Sequence, residues 1–175
     1  MNLSEALALI QHAGWNSNVP ARWADLGCGE GLFTEALARM LPPRSVVHAV
    51  DTDAEALFRV PEVPHRHLSR VCADFNAFPW MFAPDMDGLL MANSLHYVAD
   101  KRGFLEEATS YLGPAGRFLL IEYDTRAANP WVPYPLPFDD LMPLMADLGF
   151  GNVRKLGEHP SRFRNGNLYA AVAER

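Results

Sequence analysis

The stretch ADLGCGEGLFTEALA, residues 24–38, sets three glycines at alternate positions, Gly27, Gly29 and Gly31, between a short apolar run and a helical apolar pattern. Glycine has no side chain to pack and loses the most backbone freedom on folding. Three in five residues therefore mark backbone that must take positive φ or approach something closely. The flanks say where this happens. "ARWADLG" reads as a short buried strand, and "GLFTEALARML" as a helix stopped by Pro42 and Pro43. The glycines are the turn of a strand-to-helix unit.

Outward from that turn the alternation continues. "SVVHAVD" reads as a strand, and "TDAEALFRV" as a helix with Asp53 near its N-terminus, where a carboxylate is favoured. "SRVCADF" and "MDGLLMANS" are two more strands, separated by a stretch carrying Pro79 and Pro84. "DKRGFLEEATSYLG" is a helix closed by Gly113, and "GRFLLIEYD" an apolar strand. Upstream, "LSEALALIQHAG" is a helix with Ser4 as its candidate cap and Gly14 as its stop. Downstream, "TRAANPWVPYPLP" is a loop, followed by the helix "FDDLMPLMADLGF", which Pro143 should kink if it lies beyond the first turn. Strands near "NVRKLGE" and "NLYAAVAE" have no helix between them and should pair antiparallel at one edge. The pattern predicts one α/β domain over residues 1–175, with residues 1–20 as an N-terminal cap helix. Its mostly parallel seven-stranded sheet carries helices on both faces and an antiparallel C-terminal strand pair. In such sheets ligands bind at the carboxyl ends of the strands, where strand order reverses, which is where the glycines stand.

Composition narrows the partners. The 175 residues carry a net charge of −6, which argues against a nucleic-acid binder. Within residues 151–175, Arg154, Lys155, Arg162, Arg164 and Arg175 outnumber Glu158 and Glu174, a solvated face or a feature for an anionic substrate. Cys28 and Cys72 have no metal-ligand spacing, His65 and His67 read as a solvated loop, and no metal is expected. With no leader pattern and no apolar run of membrane-span length, a cytoplasmic protein with free thiols and no membrane contact is expected.

Three loop types compete for the glycines. A P-loop needs Gly-Lys-Ser/Thr, and the dinucleotide fingerprint GxGxxG needs its third glycine at position 32; Leu32 denies both. Tyr97 and Lys101 have the YxxxK spacing of short-chain dehydrogenases, but too early and beside the wrong glycine loop. Asp25-Leu26-Gly27-Cys28-Gly29-Glu30-Gly31 matches DxGxGxG and resembles motif I of the class I S-adenosylmethionine-dependent methyltransferases, of the small-molecule, type 11-like kind. "VHAVDTDAEAL" is similar to their ribose-binding segment, with Asp51 as the acid, and "CADFNAFPW" to their adenine segment, with Asp74 and Phe75.

The resemblance implies a Rossmann-like fold and S-adenosylmethionine as cofactor, held by Asp25, Gly27, Cys28, Gly29, Gly31, Asp51, Thr52, Asp74, Phe75 and Asn93. It implies methyl transfer to a small molecule. The turn Asn93-Ser94-Leu95-His96 lacks the signature of enzymes that methylate amino nitrogens of adenine or glutamine. Family position makes His96 the candidate general base for an acidic acceptor, with a pocket-lining role as its plain alternative. Tyr97, Tyr123, Trp131 and Tyr134 are expected on the substrate side, with Glu122 and Asp124 beside them. The first helix and the Pro-aromatic loop are the expected cover, and a second copy of the chain is a possible partner. A catalytically silent cofactor-binding regulator and a methyltransferase acting on RNA or protein are the competing readings.

Overall fold

A computed structural model of the chain describes residues 1–15, 18–161 and 166–175. The elements run α1 (Leu3–Ile10), β1 (Arg22–Leu26), α2 (Leu32–Met40), β2 (Val46–Asp51), α3 (Ala54–Arg59), β3 (His67–Cys72) and β4 (Met86–Ala92). They continue with a 3-10 turn (Leu95–Tyr97), α4 (Lys101–Thr109), β5 (Leu112–Tyr123), α5 (Phe138–Asp147), β6 (Asn152–Pro160) and β7 (Asn167–Glu174). The seven strands form one sheet in the order β3-β2-β1-β4-β5-β7-β6. β1 to β5 pair in parallel, while β7 runs antiparallel to both β5 and β6. The Rossmann-like sheet with its antiparallel C-terminal pair is thus as expected.

The central strands β1, β4, β5 and β7 are largely buried on both faces, and their alternate residues divide between two cores. Trp23, Val47, Leu90 and Leu119 pack with Ile10, Leu37 and Leu57 of α1, α2 and α3. Ala24, Leu26, Leu89 and Leu120 pack on the other face with Leu105 of α4 and Leu141 and Met145 of α5. Between β3 and β4, where other crossovers use helices, the aromatic side chains of segment 73–85 cover the sheet. Trp80 stacks between Phe78 and Tyr111, with ring centroids 4.7 and 4.4 Å away.

Some local expectations are corrected. Asn2, not Ser4, caps α1: its side chain accepts the Glu5 N–H while Glu5 reaches back to the Asn2 N–H, a reciprocal box. α1 ends at Ile10, before Gly14. Gly113 does not close α4, which ends at Thr109; it lies within β5. The condition set for Pro143 is met, since it sits in the second turn of α5, which runs on to Asp147.

Strand order reverses between β1 and β4, whose neighbours on either side are β2 and β5. Their carboxyl ends deliver the glycine turn and Asn93 to one place.

Candidate active site

The three glycines have positive φ, of 79°, 53° and 84°, but not for one reason. A β-carbon at Gly27 would lie 2.6 Å from that of Ser94, and one at Gly31 2.7 Å from Val60 Cγ1. Both positions are fixed by close approach of the chain to itself. A β-carbon at Gly29 would meet nothing within 4 Å. Its bare face borders a cleft of about 290 Å³, shared with Asp25, Gly27, Cys28 and Asn93.

Asp25 ends β1 fully buried, and the Thr34 hydroxyl of α2 donates to its Oδ2 at 2.6 Å. Its Oδ1 has no partner among the described residues. Burial pushes the carboxyl up to about 7, against the Thr34 hydrogen bond and with the Asp51 charge adding to the rise. An orphaned carboxylate oxygen on the wall of a cleft calls for a cation or a donor. The Cys28 thiol beside it is pushed upward by burial and by the Asp25 and Asp51 charges, so it stays protonated.

Asp51 ends β2 and accepts the Gly29 N–H at 2.8 Å and the Asp53 N–H at 3.0 Å. It is not the helix cap. Asp53 fills that role, accepting from the Glu55 and Ala56 N–H groups. Asp51 therefore ties the glycine turn to β2 and remains partly exposed. Phe75 packs against the Gly27 backbone. Asp74 is exposed and accepts from Asn76 in an Asx turn, and Thr52 is exposed beside Asp51. None of Asp51, Thr52, Asp74 and Phe75 lines the 290 Å³ cleft.

A second cleft of about 580 Å³ shares Asn93 and Tyr123 with the first and adds His96, Tyr97, Asn129, Trp131 and Val132. His96 and Glu122 are both buried, at 2% and 0% side-chain exposure, with His96 Nδ1 2.7 Å from Glu122 Oε2. Glu122 Oε1 also accepts the His96 N–H at 3.1 Å. The carboxylate therefore holds both ring and backbone, leaving Nε2 as the nitrogen that Glu122 does not engage. The Pro-aromatic loop closes over this histidine, the Tyr134 N–H donating to the His96 carbonyl at 3.0 Å. Asn93 sits at φ 56°, and its Oδ1 is buried without a partner among the described residues.

Sequence reasoning placed His96, Tyr97, Tyr123 and Trp131 on one side, and the fold brings them to one cleft; Tyr134 bonds the His96 carbonyl through its backbone N–H and does not line that cleft. It did not single out Thr34 or Asn129. A hydroxyl in the first turn of α2 was the available signal for the first, and nothing local marks the second. Met1 and His159 also reach the first cleft, which brings the start of α1 and the end of β6 to the glycine turn. Among the basic C-terminal residues, Arg162 and Arg164 lie outside the described residues. Lys155 pairs with Asp124 and Glu158, and Arg154 approaches Glu174 at 3.9 Å. Among the described residues, no helix is long and apolar enough to cross a membrane.

Comparison with known proteins agrees with this architecture. Residues 24–120 match the model of a family described as a methyltransferase domain. The chain is 33% identical over 114 residues to trans-aconitate 2-methyltransferase of Pseudomonas paraeruginosa, an alignment covering 62% of this chain and 37% of that protein. The same enzyme of Pseudomonas aeruginosa is 32% identical over 97 residues, covering 55% and 34%. The chain thus spans about a third of the length of the curated relatives it matches.

Among solved structures, magnesium protoporphyrin IX methyltransferase of Synechocystis, crystallised with S-adenosylmethionine, superposes with a TM-score of 0.70 at 17% identity. That match covers 99% of this chain and 77% of the other. An S-adenosylmethionine-dependent methyltransferase of Leishmania major gives 0.74 at 15% identity, covering 99% and 72%. At such identities these structures speak for the fold. The family match spans more than half of the residues and takes in the glycine turn, Asp51 and His96: this chain belongs to the methyltransferase domain family.

Proposed function

We propose that the protein is an S-adenosylmethionine-dependent methyltransferase whose domain over residues 1–175 acts in the cytoplasm on a small-molecule acceptor. The observation that carries this reading is the pair of clefts meeting at Asn93 and Tyr123. One is walled by the glycine turn and the other by a buried histidine–glutamate pair.

The residues fit the cofactor. The unpartnered Asp25 Oδ1 suits an α-ammonium, and the open face of Gly29 leaves room where any other side chain would stand. Asp51, already oriented by two backbone N–H groups, keeps lone pairs for a ribose diol. When bound, the cofactor supplies an electrophilic methyl on a sulfonium whose departure as a neutral thioether needs no acid. What remains for the protein is to align the acceptor, exclude water and remove a proton. His96 Nε2 receives the acceptor proton. Glu122 fixes the ring by its Nδ1 and stabilises the imidazolium that results.

The test is calorimetry with S-adenosylmethionine, S-adenosylhomocysteine and NAD, followed by labelled-methyl transfer to metabolite fractions. Binding of both adenosyl ligands and not NAD is expected. Asp51→Ala should weaken them by about 1.5–3 kcal/mol through loss of a charged acceptor. Binding of NAD alone overturns the reading.

A further inference from the structure

The second cleft has a chemical character of its own. Its wall is built from the rings of Tyr97, Tyr123 and Trp131, two of them well exposed, and its polar groups are His96, Asn93 and Asn129. Asn129 has a fixed orientation. Its Oδ1 accepts the Trp131 N–H at 2.9 Å and the Val132 N–H at 3.2 Å, and only an oxygen can stand before two donors. The other end of the amide is therefore Nδ2, and it is buried without a partner among the described residues. A buried donor left unpaired is a cost to the free protein that a ligand oxygen removes.

Charge is equally telling. Among the described residues, no lysine or arginine lines this cleft. Lys101, which feels the Glu122 charge, gives its ammonium to the Val98 carbonyl at 2.8 Å and the Tyr134 ring face at 5.6 Å. Behind the wall stands the Glu122 carboxylate, 2.7 Å from His96. A ligand bearing several carboxylates would bury them here against a wall with no lysine or arginine among the described residues, and beside a like charge.

We propose that the acceptor cleft takes an uncharged, planar hydroxyaromatic molecule and not a polycarboxylate. Its ring lies among the Tyr97, Tyr123 and Trp131 side chains, one oxygen accepts from Asn129 Nδ2, and its hydroxyl donates to His96 Nε2. The proposal rests on the methyltransferase reading above. It separates this chain from the relatives named for trans-aconitate, an open-chain tricarboxylate.

The experiment uses the full chain saturated with S-adenosylhomocysteine and titrated with 4-nitrophenol, 4-hydroxyacetophenone and trans-aconitate. Both phenols should bind, and trans-aconitate at least about tenfold more weakly. The absorption band of 4-nitrophenol should move toward that of the phenolate on binding, a shift that His96→Gln removes. Asn129→Asp keeps the oxygen that holds the 129–132 turn and replaces only the donor. It should weaken both phenols about tenfold, one charge-affected hydrogen bond, and leave S-adenosylhomocysteine affinity within about twofold. Trp131→Ala, at an exposed position that cannot unfold the core, should weaken the phenols and spare the adenosyl ligand. Trans-aconitate binding as tightly as the phenols, or phenol affinity unchanged in both variants, overturns the proposal. Failure of the wild-type chain to bind either phenol while it binds S-adenosylhomocysteine sinks this proposal alone. A wild-type chain that fails to bind S-adenosylhomocysteine sinks the underlying reading.

Discussion

Gly29 and Asp25 carry the sharpest tests at single positions. Gly29 borders open space at φ 53°, so Gly29→Val adds a branched side chain to the ligand side of the turn and nothing to the core. The fold should lose about 1–2 kcal/mol to the positive φ, while S-adenosylhomocysteine binding is abolished. Gly31→Val, against Val60, should instead lower the melting temperature severely. Calorimetry and thermal melts of the two variants separate ligand space from chain space; normal binding by Gly29→Val would mean the glycine serves only the turn.

Asp25 is an acid whose folded-state value is raised from 3.8 to about 7, chiefly by burial. A raised acid stabilises the ligand-free fold fully below pH 3.8, and that contribution is lost as pH climbs through 7. Binding runs the other way, because only the ionised carboxylate attracts an ammonium. Affinity for S-adenosylhomocysteine should rise through pH 7, while the melting temperature of the free protein falls. A carboxamide at this position cannot titrate, so Asp25→Asn should flatten both profiles and raise the melting temperature of the free protein most at alkaline pH. Unaltered profiles in that variant would show that another group is responsible.

Among the elements, the end of β5, the 3-10 turn and the Pro-aromatic loop act as a unit. Glu122 holds the His96 ring and backbone, the His96 carbonyl holds Tyr134, and the buried Tyr169 hydroxyl of β7 donates to the Leu136 carbonyl at 2.8 Å. Glu122 is a positioning residue under this arrangement. Glu122→Gln should lower kcat by about 10-fold or more and shift the pH–rate profile, whereas His96→Ala should lower it about 100-fold. Cofactor affinity should stay within about threefold in both. Equal kcat in Glu122→Gln and wild type would reduce the pair to packing. The "TRAANPWVPYPLP" stretch was legible as a loop because Pro and aromatics break both periodicities. Its anchoring to β7 and to His96 was not, since those partners stand 33 and 38 residues away in sequence.

For the molecule as a whole, two cores share one sheet, and α1 joins the one around Trp23 and Leu119 through Ala6, Leu9 and Ile10. Arg117 and Arg154 donate to the Ala13 and His12 carbonyls just beyond it, tying α1 to β5 and β6. The helix is therefore part of the fold, and Met1, two residues before it, reaches the cofactor cleft. Ile10→Ala should cost about 2–5 kcal/mol, read from denaturant unfolding, while leaving S-adenosylhomocysteine affinity of the folded protein unchanged. A loss below about 1 kcal/mol would mean that α1 is a detachable cover rather than core.

The sequence alone determined the order and type of nearly every element, the parallel sheet with its antiparallel pair, and the glycine turn at the mouth of the site. These follow from apolar period, proline and glycine punctuation and spacing, all of which are local. Tertiary structure decided what each glycine faces and that Glu122 sits behind His96. It also left Asp25 Oδ1 and Asn129 Nδ2 without partners among the described residues. Those outcomes depend on strand register and on how loops close over the sheet, as when His96 and Glu122, 26 positions apart, meet at its carboxyl edge. No periodicity records such meetings, because each is set by the packing of elements whose own patterns are satisfied without it.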